Sequence, residues 1–230
     1  MKLVLLDVDG TLLLSGGAGK RALEDVFVSR YGVADTFRGV DPGGKTDPRI
    51  IREMARNAGV APERIERDMA SLRAEYLDRL RVRMPTSPAT LMPGVREFLE
   101  AISRRDGILL GLLTGNLEEG ARIKLARFDL NRFFAIGAFA SDSEDRNDLV
   151  PIALARASAH LGRPVAGGRN VVVVGDTALD IECGKAHGAI AVAVATGGTS
   201  VEELALHGPD RVFEDLTDTA AVVEYVARCA

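Results

Sequence analysis

Two aspartates near the amino terminus, separated by one residue, are the side chains best suited to chemistry. Asp7 and Asp9 directly follow Leu3–Leu6, a short apolar run that ends at a turn signal, Gly10. Such a run predicts a buried parallel strand. Strand alternation places both carboxylates on the same side of the chain, at the edge where open α/β sheets bind ligands. Two acids this close repel each other unless a cation or a shared proton relieves them. The pair therefore favours a site for a divalent cation such as Mg²⁺, which takes oxygen ligands.

A third acid occupies the same kind of position later in the chain. Asp176 follows the apolar run Val171–Val174 and Gly175, so it repeats the strand-then-acid pattern of Asp7. Because the carboxyl ends of parallel strands lie at one edge of a sheet, the two carboxylates can converge on one cation.

A candidate phosphate cradle follows another apolar run. Thr114, Gly115 and Asn116 come after Ile108–Leu113 and precede a predicted helix. A hydroxyl, free backbone N–H groups and a helix amino terminus together suit an anion. From the residues alone, an ordinary turn stays open as the alternative.

These motifs, in this order, resemble those of the haloacid dehalogenase superfamily. The matching stretches are Asp7-Val8-Asp9-Gly10-Thr11-Leu12-Leu13, Leu112-Leu113-Thr114-Gly115-Asn116 and Val171–Asp180. Within the superfamily, the chain is similar over nearly its whole length to the phosphatase branch that includes phosphoglycolate phosphatases and β-phosphoglucomutases. The resemblance implies an enzyme that hydrolyses a small phosphate monoester, phosphoglycolate being one example, with Mg²⁺ as its cofactor. It also implies phosphate contact by Thr114, with Gly115 and Asn116 contributing mainly backbone groups.

The resemblance gives each acid a role. Asp7 is the expected nucleophile, because a carboxylate can attack phosphorus and form an aspartyl-phosphate. Asp9 is the expected general acid toward the leaving oxygen and then the general base toward water. Asp7, Asp176 and the backbone carbonyl of Asp9 are the expected metal ligands, and Asp180 is a further acid near the metal. Two structural alternatives stay open: Asp9 capping the turn that follows it, and Asp180 capping a helix.

The chain departs from the family pattern at the third motif, where a lysine is usual. The segment Ser141–Asp148 fills that region, and Arg146 stands at the matching point. A guanidinium can hold phosphate through two parallel hydrogen bonds, so Arg146 is predicted to bind the phosphate. The alternative is a surface arginine paired with a neighbouring acid: Asp142, Glu144 or Asp145. Lys124 is the other cation considered, but its place between Arg122 and Arg127 favours a solvated helix face.

Between residues 15 and 89 the pattern becomes helical, with no convincing buried strand. Helices are predicted at Lys20–Arg30, Pro48–Asn57 and Glu63–Arg83. This predicts an all-helical cap over residues 15–89, inserted into a core of residues 1–14 and 90–230, as the resemblance also implies. The cap's glycine-rich turn at Gly43–Pro48 can reach a substrate. Lys45 and Thr46 are therefore predicted to set specificity, Lys45 by binding an acidic leaving group; capping of a helix by Thr46 or Asp47 is the alternative.

Outside the cap, apolar runs alternate with helical patterns. Strands are predicted at Leu3–Leu6, Ile108–Leu113, Phe133–Phe139, Val171–Val174 and Ile190–Val194, and helices from Pro93 toward Arg105 and over Pro151–Leu161. Alternation of this kind predicts an α/β fold, a Rossmann-like parallel sheet with helices on both faces.

Bulk properties narrow the class of protein. The chain has 230 residues and a net charge of −4, which gives no reason to expect a nucleic-acid partner. The amino-terminal apolar stretch is too short to cross a membrane. Cys183 and Cys229 form no metal-binding pair, and this usage fits the reducing cytoplasm. We expect a cytoplasmic monomer or homodimer; a phosphomutase and a non-catalytic phosphoryl-ligand sensor or scaffold are the functional alternatives.

Overall fold

The protein folds around a parallel sheet of six strands. The structure, a computed structural model, describes residues 1–228, so Cys229 and Ala230 lie outside it. Within that range the strands are β1 (Lys2–Leu6), β2 (Leu13–Leu14), β3 (Thr90–Leu91), β4 (Ile108–Thr114), β5 (Ile136–Phe139), β6 (Val171–Gly175), β7 (Ile190–Val194) and β8 (Arg211–Phe213). The main sheet has the order β5-β4-β1-β6-β7-β8, and each of its neighbouring pairs is parallel. The predicted α/β, Rossmann-like fold class is confirmed.

Nine α-helices surround or cover this sheet in residues 1–228. They are α1 (Ala18–Tyr31), α2 (Asp47–Asn57), α3 (Pro62–Arg83), α4 (Val95–Ile102), α5 (Glu118–Ala126), α6 (Leu149–Leu161), α7 (Ala178–Ala186), α8 (Val201–Leu206) and α9 (Thr219–Arg228). None of the helices in the described range has the length and apolar character needed to cross a bilayer.

The central strands are apolar throughout because helices cover both faces of the sheet. In β1, Val4 and Leu6 face one apolar cluster, which includes Val95, Phe98 and Leu99 of α4. Leu3 and Leu5 face a second cluster on the other side of the sheet, which includes residues of α6. The alternation of these side chains explains why an unbroken apolar run, rather than a polar-apolar pattern, forms the strand that carries Asp7.

The helices between residues 18 and 83 have an apolar cluster of their own. α1 packs on α3, and α2 also contacts α3. The buried residues of α3 recur at helical spacing and form one apolar stripe: Ile65, Met69, Leu72, Tyr76 and Leu80. The short antiparallel pair of β2 and β3 joins the two chain segments that enter and leave this helical region.

Two features of the sheet differ from the sequence predictions. The run Phe133–Phe139 becomes a strand only from Ile136, because Asn131–Phe133 form a 3₁₀ turn. Apolar runs do not distinguish a strand from a short buried turn. The edge strand Arg211–Phe213 was not predicted, since it is three residues long and mostly part-exposed.

Candidate active site

Three neighbouring strands end at the same edge of the sheet and present polar side chains there. β1 lies between β4 and β6, and Leu6 is in register with both Leu112 and Val174. Asp7, Thr114 and Asp176 therefore emerge close together, although they are far apart in sequence. The strand order reverses at this point, which is where open α/β sheets form ligand crevices. A cavity of about 300 Å³ opens above them and is lined by all three residues.

Three buried acids form a compact cluster at the floor of the cavity. Oxygen atoms of Asp7, Asp176 and Asp180 lie within 4.8 Å of one another. The Thr11 hydroxyl donates a 2.8 Å hydrogen bond to Asp176 Oδ1. The Asp9 side chain is not part of this cluster, so its predicted metal contact would be made by its backbone carbonyl, as the family pattern implies.

Keeping these buried, neighbouring acids ionised is unfavourable. Burial raises the pKa of Asp7 to about 6, against the attraction of Arg146, and the nearby carboxylates of Asp180 and Asp9 add to the rise. Burial, together with the charges of Asp180 and Asp7, raises the pKa of Asp176 to about 8. Because each carboxylate resists ionisation beside its neighbours, the cluster as it stands is short of positive charge.

Two glycines give Asp176 its space. A Cβ at either Gly10 or Gly197 would overlap the Asp176 carboxylate. Gly10 also has a φ of 85°, a left-handed conformation that favours glycine. Side chains are thereby kept out of the volume next to the acids.

Arg146 is buried in the centre of the site. Its Nη2 lies 3.1 Å from Asp7 Oδ1 and forms a short ion pair with Asp180 Oδ1, while its Nη1 donates to the carbonyl of Gly44 at 2.9 Å. The acids Asp142, Glu144 and Asp145, considered as surface partners, do not pair with it. Burial opposes its charge, but Asp180 and Asp7 more than compensate, so its pKa lies above the usual value.

The two carboxylate oxygens of Asp180 bind different partners. One carboxylate oxygen accepts hydrogen bonds from the backbone N–H of Thr177, at 3.1 Å, and from its hydroxyl, at 2.6 Å. These bonds belong to a capping box that begins α7. The other oxygen pairs with Arg146. Helix capping, left open as an alternative to metal binding, is therefore present, and it fixes the partner of Arg146 in place.

Asp9 belongs to a second polar cluster, in which Lys124 is the cation. Lys124 Nζ lies 2.5 Å from Asp9 Oδ2 and 2.6 Å from Asn116 Oδ1, and Asn116 Nδ2 donates to Asp9 Oδ2 at 2.9 Å. The prediction of a solvated face for Lys124 is wrong, since only 5% of the residue is exposed. Burial lowers its pKa, but Asp9 and Asp47 more than offset this, so the pKa lies above the usual value.

A signal for the position of Lys124 was present in the sequence. Leu117, Ala121, Lys124 and Leu125 follow the spacing of one helix face, and all four are buried. The neighbouring Arg122 and Arg127 favoured a solvated face, so the buried face of the helix was missed.

The backbone N–H of Asn116 was expected to contact the phosphate. It donates to Thr114 Oγ1 at 3.3 Å. The amide side chain of Asn116 donates to Asp9 Oδ2.

Residues 1–188 match the family model of haloacid dehalogenase-like hydrolases. The chain belongs to this family. The hydrolase is 27% identical over 234 residues to a phosphoglycolate phosphatase of Synechococcus elongatus, across 99% of this chain and 100% of that protein. A phosphoglycolate phosphatase of Pseudomonas savastanoi is 26% identical, across 94% and 77%. The solved structure of CbbY from Rhodobacter sphaeroides, in complex with phosphate, shares the fold with a TM-score of 0.71, 20% identity and coverage of 95% and 96%. The resemblance inferred from the motifs is thus confirmed.

The helical region of the hydrolase touches the strand-end site through its second helix. Asp47, the first residue of α2, receives a 2.8 Å hydrogen bond from the Leu117 N–H on Oδ2 and donates its own N–H to the Gly115 carbonyl at 2.6 Å. A Cβ at Gly115 would overlap the Lys45 carbonyl. Gly115 therefore serves a close backbone contact as well as any phosphate contact. Sequence reasoning treated Asp47 only as a helix cap.

The two predicted specificity residues lie beside this contact. Lys45 lines the cavity, but its Nζ is 2.7 Å from Glu53 Oε2 of α2, so its charge is already paired, while Arg49 lies 3.6 Å from the other oxygen of Glu53. Thr46 is buried and donates its hydroxyl to the Glu144 carbonyl at 3.0 Å. Thr46 thus joins the helical region to the segment that carries Arg146, and its hydroxyl makes no capping bond to α2.

Proposed function

We propose that this hydrolase is a Mg²⁺-dependent phosphatase that cleaves a small phosphate monoester through an aspartyl-phosphate on Asp7. The observation that carries the proposal is the convergence of Asp7, Asp176 and Asp180 with Arg146 at the carboxyl ends of adjacent strands. Family membership and the phosphoglycolate phosphatases among its relatives support the reaction class and a phosphoglycolate-like substrate.

The acid cluster fits a divalent cation. Three buried carboxylates face one guanidinium, and Asp7 Oδ1, although near Arg146, accepts no well-directed hydrogen bond. The carboxylates of Asp7 and Asp176 and the backbone carbonyl of Asp9 would hold Mg²⁺, with Asp180 nearby. The ion would neutralise the acids and stabilise charge on the transferring phosphoryl group.

The two aspartates of the first motif divide the chemistry. A carboxylate oxygen of Asp7 attacks phosphorus, the bond from phosphorus to the ester oxygen breaks, and Asp9 gives its proton to that oxygen. In the second step Asp9 takes a proton from water as the water oxygen attacks phosphorus. The bond from phosphorus to Asp7 then breaks, which releases inorganic phosphate and restores the carboxylate. Lys124 and Asn116 hold the Asp9 side chain in one orientation for both transfers.

The remaining site residues bind the phosphoryl oxygens. Thr114, Gly115 and Arg146 line the cavity beside Asp7. The Arg146 Nε is buried and has no hydrogen-bond partner among residues 1–228. In this proposal Arg146 replaces the usual lysine of the third motif.

Residues 15–89 form the cap of this enzyme in our proposal, and the core consists of residues 1–14 and 90–230. The apolar cluster that joins α1–α3 supports this division, with Leu117 and Ala140 of the core packing against it. The bonds of Thr46 and Asp47 to core carbonyl and amide groups would hold the cap closed over the substrate, so that water is excluded during the first step.

The test is release of phosphate from phosphoglycolate and other small esters, with Mg²⁺ and with a chelator. We expect turnover only with the ion, and a loss of several orders of magnitude in Asp7→Asn, because the covalent nucleophile is removed. Asp129→Asn is the matched control: Asp129 is exposed and has a φ of 56°, a conformation that asparagine tolerates. Full activity in the chelator, or in folded Asp7→Asn, would sink the proposal.

A further inference from the structure

Part of the cap side of the cavity is apolar. Leu23, Phe37, Ile50 and Tyr76 all line it, and each is less than a tenth exposed. These side chains come from α1, α2, α3 and the segment between α1 and α2. Polar residues of the same region, Ser15, Lys45 and Asp47, also line the cavity, so selectivity on this side depends on which charged groups are free to bind a leaving group.

Lys20 places a positive charge beside these apolar side chains. It belongs to α1, is exposed and lines the cavity. Its Nζ stands 5.1 Å from the centre of the Phe37 ring, a cation–π contact that orients the side chain. No ion pair of Lys20 with an acid occurs in the part of the chain that the structure describes. Lys45, the other cap lysine at the cavity, is by contrast bound to Glu53.

We propose that Lys20 is a specificity-determining residue, which binds the carboxylate of the leaving group. This inference rests on the proposed phosphatase function with a phosphoglycolate-like substrate, and assigns the residue that selects it. One ammonium group balances a single carboxylate, whereas a second phosphate would carry nearly two charges. A cavity of about 300 Å³ is at the small end for ligand sites, so the leaving group has only a few carbons.

The experiment compares matched pairs of esters. Phosphoglycolate is paired with ethyl phosphate, and 4-phosphonooxybutanoate with butyl phosphate, so that each pair differs only in the carboxylate. The measured quantity is the ratio of kcat/KM within each pair, for the wild type, Lys20→Met, Lys20→Arg and Lys45→Met. Methionine keeps the apolar stem on Phe37 but removes the charge.

We expect the wild type to prefer the carboxylate ester by about fivefold in at least one pair, since a partly solvated charge pair is worth at most about 1 kcal/mol. Lys20→Met should bring that ratio close to one, Lys20→Arg should keep most of it, and Lys45→Met should keep it within about twofold. If Lys20→Met keeps the wild-type ratio of kcat/KM, or if Lys45→Met lowers that ratio equally, the inference about Lys20 is wrong. The proposed phosphatase function is not affected by either result. If no ester is hydrolysed by the wild type, the proposed function fails and the inference fails with it.

Discussion

The two sides of the cavity are built from different kinds of residue. On the core side, buried charged groups are fixed by several partners each: Arg146 contacts Asp7, Asp180 and a cap carbonyl. On the cap side, apolar side chains of α1, α2, α3 and the segment between α1 and α2 lie near Lys20, whose ammonium group contacts the Phe37 ring. In our proposal the core side binds the phosphate that all esters share, and the cap side binds the leaving group that distinguishes one ester from another. Substitutions on the core side should therefore slow all esters alike.

The largest such effect, after loss of the nucleophile, is expected at Arg146. Arg146→Ala should lower kcat/KM for every ester by about 10²–10³-fold, because one charge serves substrate and transition state. It should also lower the free energy of unfolding by about 3–5 kcal/mol, since Asp7 and Asp180 lose their buried partner. Kinetics and urea unfolding measure the two effects.

Two further variants make the Arg146 result specific. Arg146→Lys should recover part of the rate, because lysine keeps the charge without the planar fork. Arg132→Ala is the matched control, since Arg132 is exposed and pairs with Asp129 in an exposed salt bridge. Its loss should cost no more than about 1 kcal/mol. If Arg146→Ala has wild-type kinetics, another cation must bind the phosphate.

A smaller loss is expected when the orientation of Asp9 is relaxed. Lys124→Met should reduce kcat by about 10–100-fold for all esters, with little change in KM, because proton transfer depends on a positioned carboxylate. Arg127→Met is the control from the exposed face of the same region. A change in the ratio between carboxylate and alkyl esters, instead of a uniform loss of kcat, would place Lys124 on the specificity side and contradict the division between core and cap.

The smallest effect concerns the contact between the two sides. Burial raises the pKa of Asp47 to about 6, against the attraction of Lys124. A raised pKa means that the folded state favours the protonated acid. The contribution is fully present below the unfolded pKa, near 4, and is lost as pH rises through about 6, by roughly 1–3 kcal/mol.

Asp47→Asn keeps the acceptor for the Leu117 N–H but does not titrate. Its stability relative to the wild type should therefore rise between pH 4.5 and pH 7, as measured by urea unfolding at both values. The other acids of the site titrate in both proteins and cancel in the difference. An equal difference at the two pH values would show that folding leaves the pKa of Asp47 unshifted.

The parts of the site that sequence predicted are those set by strand ends. Asp7, Thr114 and Asp176 each follow an apolar run directly, and parallel strands bring such ends together whatever lies between them. Arg146 followed from its place in the motif order. These positions can be predicted from the local sequence pattern and the parallel direction of the strands.

The parts that sequence missed depend on how helices dock. Lys124 and Asp47 contact Asp9 and Leu117 only because α5 and α2 pack beside the same strand end. No local pattern states which face of a helix meets which loop. For the same reason, the sequence pointed to Lys45 as the cap residue that binds an acidic leaving group, whereas Lys45 is paired with Glu53 in the second turn of α2 and Lys20 has no acidic partner among residues 1–228.

The backbone contact between Gly115 and the segment that includes Lys45 has a consequence for engineering this enzyme. Because the Lys45 carbonyl occupies the space where a Gly115 side chain would be, and Asp47 is bonded to the same loop through its own N–H, mutating this junction would disturb closure and chemistry together. Libraries aimed at new substrates should leave it constant. The productive positions are Lys20, Leu23, Phe37 and Ile50, where side chains can vary in size and charge while the nucleophile and its partners keep their geometry.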